Sequence, residues 1–206
     1  VEAAWIAFEP HRFGDFAAHT FLLFVFEDGT SLVLSIDARR LDPESSKTHR
    51  GILQGRAIRG LLNGYELIYS WSTGRDHLLR RARFAERPFD LYRINRSRDD
   101  LSDVLTKLFD TTAELADKPV FYNMIMRNCT SELSKAFNLP WHYSDIVTGY
   151  ADTRYFNIGF AGEGASFEAA EEMAHVTQDV QNMPSDSAAV FDRSLIGYLL
   201  ESPERL

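Results

Sequence analysis

Cysteine is nearly absent from this chain: Cys129 is the single one in 206 residues. It cannot close an intrachain disulfide, and one thiol cannot build a cysteine-ligated zinc centre. Long apolar runs are lacking too. The longest, Phe21 to Phe26, falls far short of the roughly 20 residues that span a bilayer. The six histidines show no close ligand pairing and no His-Glu-x-x-His run, which argues against a zinc hydrolase. There is no Gly-x-Ser-x-Gly elbow and no phosphate-binding loop. The glycines from Gly159 to Gly164 lack the strand-before, helix-after setting of a dinucleotide site. Neither a metal nor any other cofactor is expected. No internal repeat, low-complexity tract or signal peptide is visible, and the chain opens on a valine, which points to an N-terminal piece removed or left out.

What is present is an ordinary globular composition, 45% hydrophobic and 25% charged. The length suits one domain with an appendage. We place the domain over residues 1–160 and a helical extension over 161–206. The net charge of −8 is unevenly spread. Residues 39–98 hold 14 Lys and Arg against 6 Asp and Glu, whereas residues 145–206 hold 3 against 11. Either the two segments lie against one another or are simply solvated, or the basic one faces an anionic partner such as lipid headgroups or an acidic polymer. Arg80, Arg81 and Arg83 form the densest cluster, without the interleaved aromatics and overall basicity of a nucleic-acid surface, so nucleic acid is not expected as a partner.

Phe16 to Phe26 and Thr30 to Ala38 read as two strands of a hairpin around Glu27-Asp28-Gly29. Both faces of the first strand are apolar, which predicts a central strand covered on both sides. A three-residue loop with Gly29 left-handed pairs Phe26 with Thr30, Phe21 with Ser35 and His19 with Asp37. A two-residue turn shifts the register by one and sets Ala38 opposite His19. A loop with a short helix near Arg56 to Leu62 is expected next, then strands at Tyr65–Trp71 and Phe89–Asn95 around a basic helix near Asp76 to Arg83. Leu101, Val104, Leu105, Leu108, Phe109 and Leu115 mark an amphipathic helix capped near Ser97. A second helix runs from Cys129 to Phe137, capped at Asn128 or an adjacent residue. Helices follow at Asp152 to Asn157, Phe167 to Gln181 and Val190 to Leu200. The fold class is α+β: an antiparallel sheet packed against a cysteine-bearing helix, with a helical C-terminal tail.

A cysteine in the first turn of a helix gains from the partial positive charge there, which favours the thiolate. A neighbouring histidine favours it further by taking the proton and pairing with the anion. His19 supplies that base, and Asp37 fixes its tautomer and stabilises the imidazolium, with Ser35 as the alternative on the same face. The plainer reading keeps Cys129 as a small buried hydrophobe and His19 as a hydrogen-bonded core residue. Glu66 reads as a paired or solvated strand residue and Tyr122 as core.

Ala18-His-Thr-Phe21, Glu27-Asp-Gly29, Ser35-Ile-Asp-Ala-Arg39, Tyr65-Glu-Leu-Ile-Tyr69, Tyr122-Asn123 and Asn128-Cys-Thr130 occur in this order, and the chain so resembles the bacterial Lnb N-terminal periplasmic domain family. Gly149-Tyr-Ala-Asp152 extends the likeness, which covers roughly residues 10 to 160. Members usually carry Glu where this chain has Asp37. The histidine-before-cysteine order also resembles circularly permuted papain-like proteins, including the lecithin:retinol acyltransferase group. That likeness implies a permuted papain-like fold in which Cys129 takes up an acyl group or cleaves an amide. It also implies Asn123 as an oxyanion amide donor beside the backbone N–H of Cys129. The expected function is a cysteine-dependent hydrolase or acyltransferase of the periplasm or cell envelope. Its substrate would be a peptide, lipid or other envelope amide or ester. The alternative is a non-catalytic binding or assembly module with an envelope protein as partner.

Overall fold

The computed structural model describes residues 1–11, 16–40 and 64–201. Six strands form one antiparallel sheet: β1 (Ala3–Pro10), β2 (Ala18–Val25), β3 (Ser31–Arg40), β4 (Tyr65–Thr73), β5 (Asp90–Arg93) and β6 (Phe121–Tyr122), in the order β5-β1-β2-β3-β4-β6. Among the described residues, seven α-helices accompany them: α1 (Gly74–Leu79), α2 (Arg98–Asp117), α3 (Cys129–Ala136), α4 (Ala151–Asn157), α5 (Phe167–Ala174), α6 (Thr177–Asn182) and α7 (Ala188–Glu201). The fold is α+β. The helix expected near Arg56 to Leu62 lies outside the described residues.

Local chemistry accounts for most of these elements. Phe26 N–H donates to Thr30 at 3.0 Å, and Gly29 takes φ +77°, which only glycine adopts freely. That loop sets Phe21 opposite Ser35. Ser97 caps α2 by accepting from the Asp100 N–H. Alternation along β2 sends Ala18, Leu22 and Phe24 to one face and Phe21, Leu23 and Val25 to the other. The first face is covered by α2, α3, α4 and α5, through residues such as Leu105, Leu133, Tyr155 and Ala170. The second is covered by α1, α6 and α7, through Leu78, Val180 and Leu195. Residues beyond 161 therefore supply much of the second core.

Three elements differ from expectation. The strands begin earlier than Phe16, because Ala3–Pro10 pairs with both β2 and β5 and is buried up to Glu9. It shows no apolar–polar alternation and is rich in alanine, so it carries little strand signal of its own. The acidic helix expected over Phe167 to Gln181 is two helices, since His175 leaves helical geometry at ψ 106° and bridges to Asp90 of β5. The basic helix continues past α1 as a π-helical turn over Arg80–Phe84.

The arginines of that turn face inward as much as outward. Arg83 donates to the carbonyls of Gln181 and Met183 and to the Ser185 hydroxyl, and Arg75 to the Ser185 carbonyl. The basic segment thus grips the loop between α6 and α7.

Candidate active site

The ladder between β2 and β3 ends at Phe21↔Ser35, although β3 runs on to Arg40 beside β4. Past that point the two strands part, and the first turn of α3 meets the opening. Asn128 holds the turn there. Its side-chain oxygen accepts from Ser131 N–H at 2.9 Å, while its amide nitrogen donates to the carbonyls of Met124 and Asp145. Ser131 returns the bond to the Asn128 N–H, completing a reciprocal cap. Cys129 is therefore the first residue of a firmly capped helix, and its side chain is buried.

The thiol meets donors from β2. Thr20 and His19 lie near enough to the sulfur to favour its thiolate, and the Thr130 hydroxyl, itself 3.3 Å from that of Thr20, stands 4.0 Å from it. Burial pushes the Cys129 pKa up, yet the His19 hydrogen bond and charge, with the Thr20 donors, outweigh it and bring the thiol to about 7. His19 shows the matching change. Burial alone lowers it, but the hydrogen bond and charge of Cys129, with the charge of Asp37, hold it above the ordinary histidine value. The two shifts belong to one coupled pair, each partner favouring the charged form of the other.

His19 Nε2 lies 2.9 Å from Ser35 Oγ and 3.7 Å from Asp37 Oδ1. Ser35 thus makes the direct hydrogen bond, and Asp37, 41% exposed, acts on the ring as a nearby charge. Asn123 lies on the approach to α3. Its side-chain oxygen accepts from the N–H groups of Ile125 and Met126 and pins the turn that leads into α3.

Three neighbours carry little sequence signal. Tyr122 directs its hydroxyl to the backbone N–H and the thiol of Cys129, and burial keeps that phenol protonated. Glu9 lies opposite His19 across β1 and β2, only 3% exposed, where it binds Arg81 and Arg87. A lone glutamate closing an apolar stretch was the available sign of it. His77 sits beneath Phe21 with ring centroids 4.7 Å apart. Glu66 is the partner of Arg39, at 2.7 Å.

Several large apolar side chains on the segments next to α3 are exposed: Phe16, Met124, Ile125, Met126, Trp141, Tyr143, Ile146 and Tyr150. They sit on segments tied to one another by the Gly149 N–H bond to Phe16 and by the two carbonyls that Asn128 binds.

These features define an α+β domain with a buried cysteine–histidine pair at the mouth of a sheet opening. The family model described as the Lnb N-terminal periplasmic domain matches residues 2–146, and the chain belongs to that family. It is a periplasmic domain. Among the described residues no helix is long and apolar enough to cross a membrane. No curated protein and no solved structure matches the chain.

Proposed function

We propose that this domain is a cysteine-dependent hydrolase or acyltransferase of the bacterial envelope, working in a permuted papain-like arrangement. The observation that carries this reading is the placement of Cys129, first residue of a capped helix, beside His19, whose ring Ser35 holds at 2.9 Å, with the thiol brought to about 7 in spite of burial. Cys129 Sγ gives its proton to His19, most directly at Nδ1, because Nε2 is turned to Ser35 and Asp37. The thiolate attacks an amide or ester carbonyl and forms a C–S bond. Collapse of the tetrahedral intermediate breaks the C–N or C–O bond, and the leaving amine or alcohol takes the proton from His19. Water or another nucleophile then gives a proton to His19, attacks the thioester and releases the thiolate. The Cys129 N–H and the Tyr122 hydroxyl, which meet each other beside the sulfur, would serve as donors to a developing oxyanion. Asn123 serves this site by holding the preceding turn. The exposed apolar rim favours substrates with an acyl or similarly apolar portion.

The test is acylation of Cys129 by activated esters of rising chain length, read by intact-protein mass. An adduct that requires both Cys129 and His19, and forms faster with longer chains, is the expected result. His19→Ala should cost about 10²- to 10⁴-fold in rate. It should also move the pH midpoint of iodoacetamide alkylation from about 7 toward the free-thiol value of about 8.5. Undiminished acyl transfer by Cys129→Ala overturns the reading.

The 4% exposure of Cys129 favours a second reading, a binding module that keeps the site as packing. It predicts a thiol that alkylates slowly with or without His19.

A further inference from the structure

Charge does not usually enter the interior of a sheet unpaired. Glu9 faces the same side of the sheet as His19, directly across the β1–β2 ladder. Both its oxygens are occupied: Arg81 Nε donates at 2.6 Å and Arg87 Nη1 at 2.7 Å. The Arg81 guanidinium lies 4.9 Å over the Phe21 ring, and the Phe21 ring lies 6.2 Å from that of His19. One carboxylate and two guanidiniums leave an excess positive charge behind the imidazole.

We propose that Glu9, Arg81 and Arg87 are positioning residues of the thiol site, a charge triad that backs His19 and sets its balance between imidazole and imidazolium. This inference rests on the thiol chemistry proposed above and deepens it by naming what governs the base. The groups facing His19 come from every element around it among the described residues. Cys129 comes from α3, Ser35 and Asp37 from β3, and Glu9 from β1 with His11 just beyond. His77 and Arg81 come from α1 and the π-helical turn. Asp37 and the thiolate favour the imidazolium, while Arg81 opposes it. Glu9 offsets the arginine, and the charge of His19 in turn helps to hold Glu9 ionised. The triad therefore keeps the histidine from locking permanently in its protonated form, which would leave no base for the second half of a turnover.

The signs of the test follow from charge alone. Glu9→Gln leaves two arginines uncompensated, so His19 should lose its proton at lower pH. Arg81→Gln removes one positive charge, so His19 should keep its proton to higher pH. Arg87→Gln should move it in the same sense as Arg81→Gln. The readout is the ring-proton NMR titration of His19, assigned by the signal that His19→Ala removes, with iodoacetamide rates for Cys129 in the same proteins. Shifts of opposite sign in Glu9→Gln and Arg81→Gln are the expected result. Equal-sign shifts, or none, overturn the inference. Should Glu9→Gln lose its near-ultraviolet circular dichroism, the half-exposed Arg87→Gln decides, and an unmoved titration there is equally fatal. A thiol indifferent to His19→Ala sinks the catalytic reading instead, and the His19 titration still judges the triad.

Discussion

Cys129 and Tyr122 share more than proximity. The phenol stays protonated because burial, and then the charge of Cys129, disfavour the phenolate. It can donate to a thiolate or to an oxyanion formed beside it. Under the proposed mechanism, Tyr122→Phe should lower acyl transfer about 10²- to 10³-fold, the usual cost of one oxyanion donor. Iodoacetamide needs no such donor, so its rate with Cys129 should be nearly unchanged. Equal loss in both reactions would mean that Tyr122 supports the thiolate alone.

At the scale of elements, α1 shows how closely the second face is packed. Gly74 opens this helix after the Thr73 cap. An added Cβ there would lie 2.0 Å from Ser31 Oγ. That hydroxyl is not free to turn away, because it donates to Asp192 of α7 at 2.5 Å. Alanine normally favours a helix over glycine by about 1 kcal/mol, but here the clash wins. Gly74→Ala should destabilise the protein by roughly 1–3 kcal/mol, read as a lower urea midpoint at unchanged slope. A stabilised variant would show that α1 and α7 shift apart easily.

For the whole molecule, stability should depend on pH through His77. Burial first, then the charges of Arg81, His19 and Arg80, drive its pKa down to about 2. The native state thus keeps His77 neutral while the unfolded chain takes up a proton below about 6.5. Its contribution is complete above that pH and is lost as the pH falls, by up to about 1.4 kcal/mol per unit. His11, also depressed, adds in the same sense. Glu9, whose arginines outweigh the cost of its burial and hold it ionised, loses its contribution as the pH falls from the ordinary carboxylate value toward its lower native one, a range below about pH 5. Urea unfolding at pH 6.5 and pH 5 should therefore show a clear drop in the wild type and a smaller one in His77→Phe. The same drop in both would place the effect elsewhere.

Much was legible where the cause was local. Glu27-Asp28-Gly29 marked the hairpin and left two registers open, and the left-handed Gly29 at φ +77° with the Phe26–Thr30 bond selects the three-residue loop. That register, with Phe21 opposite Ser35, puts His19, Ser35 and Asp37 on one face. Asn128 or a neighbour was similarly legible as the cap of the cysteine helix, and the structure adds the reciprocal bond from Ser131. What lay beyond the sequence was decided by long-range packing. Ala3–Pro10 becomes a strand only because β2 and β5 offer it edges on both sides. Glu9 becomes a neighbour of His19 only through that pairing, and Arg81 reaches both from more than sixty residues away. The choice of Ser35 over Asp37 as the direct partner of His19 depended on where the β2–β3 ladder opens, a matter of how α3 packs against the sheet. Local rules place residues on faces and in turns. The distances and fields that make a thiol reactive are set by contacts among residues far apart in the chain.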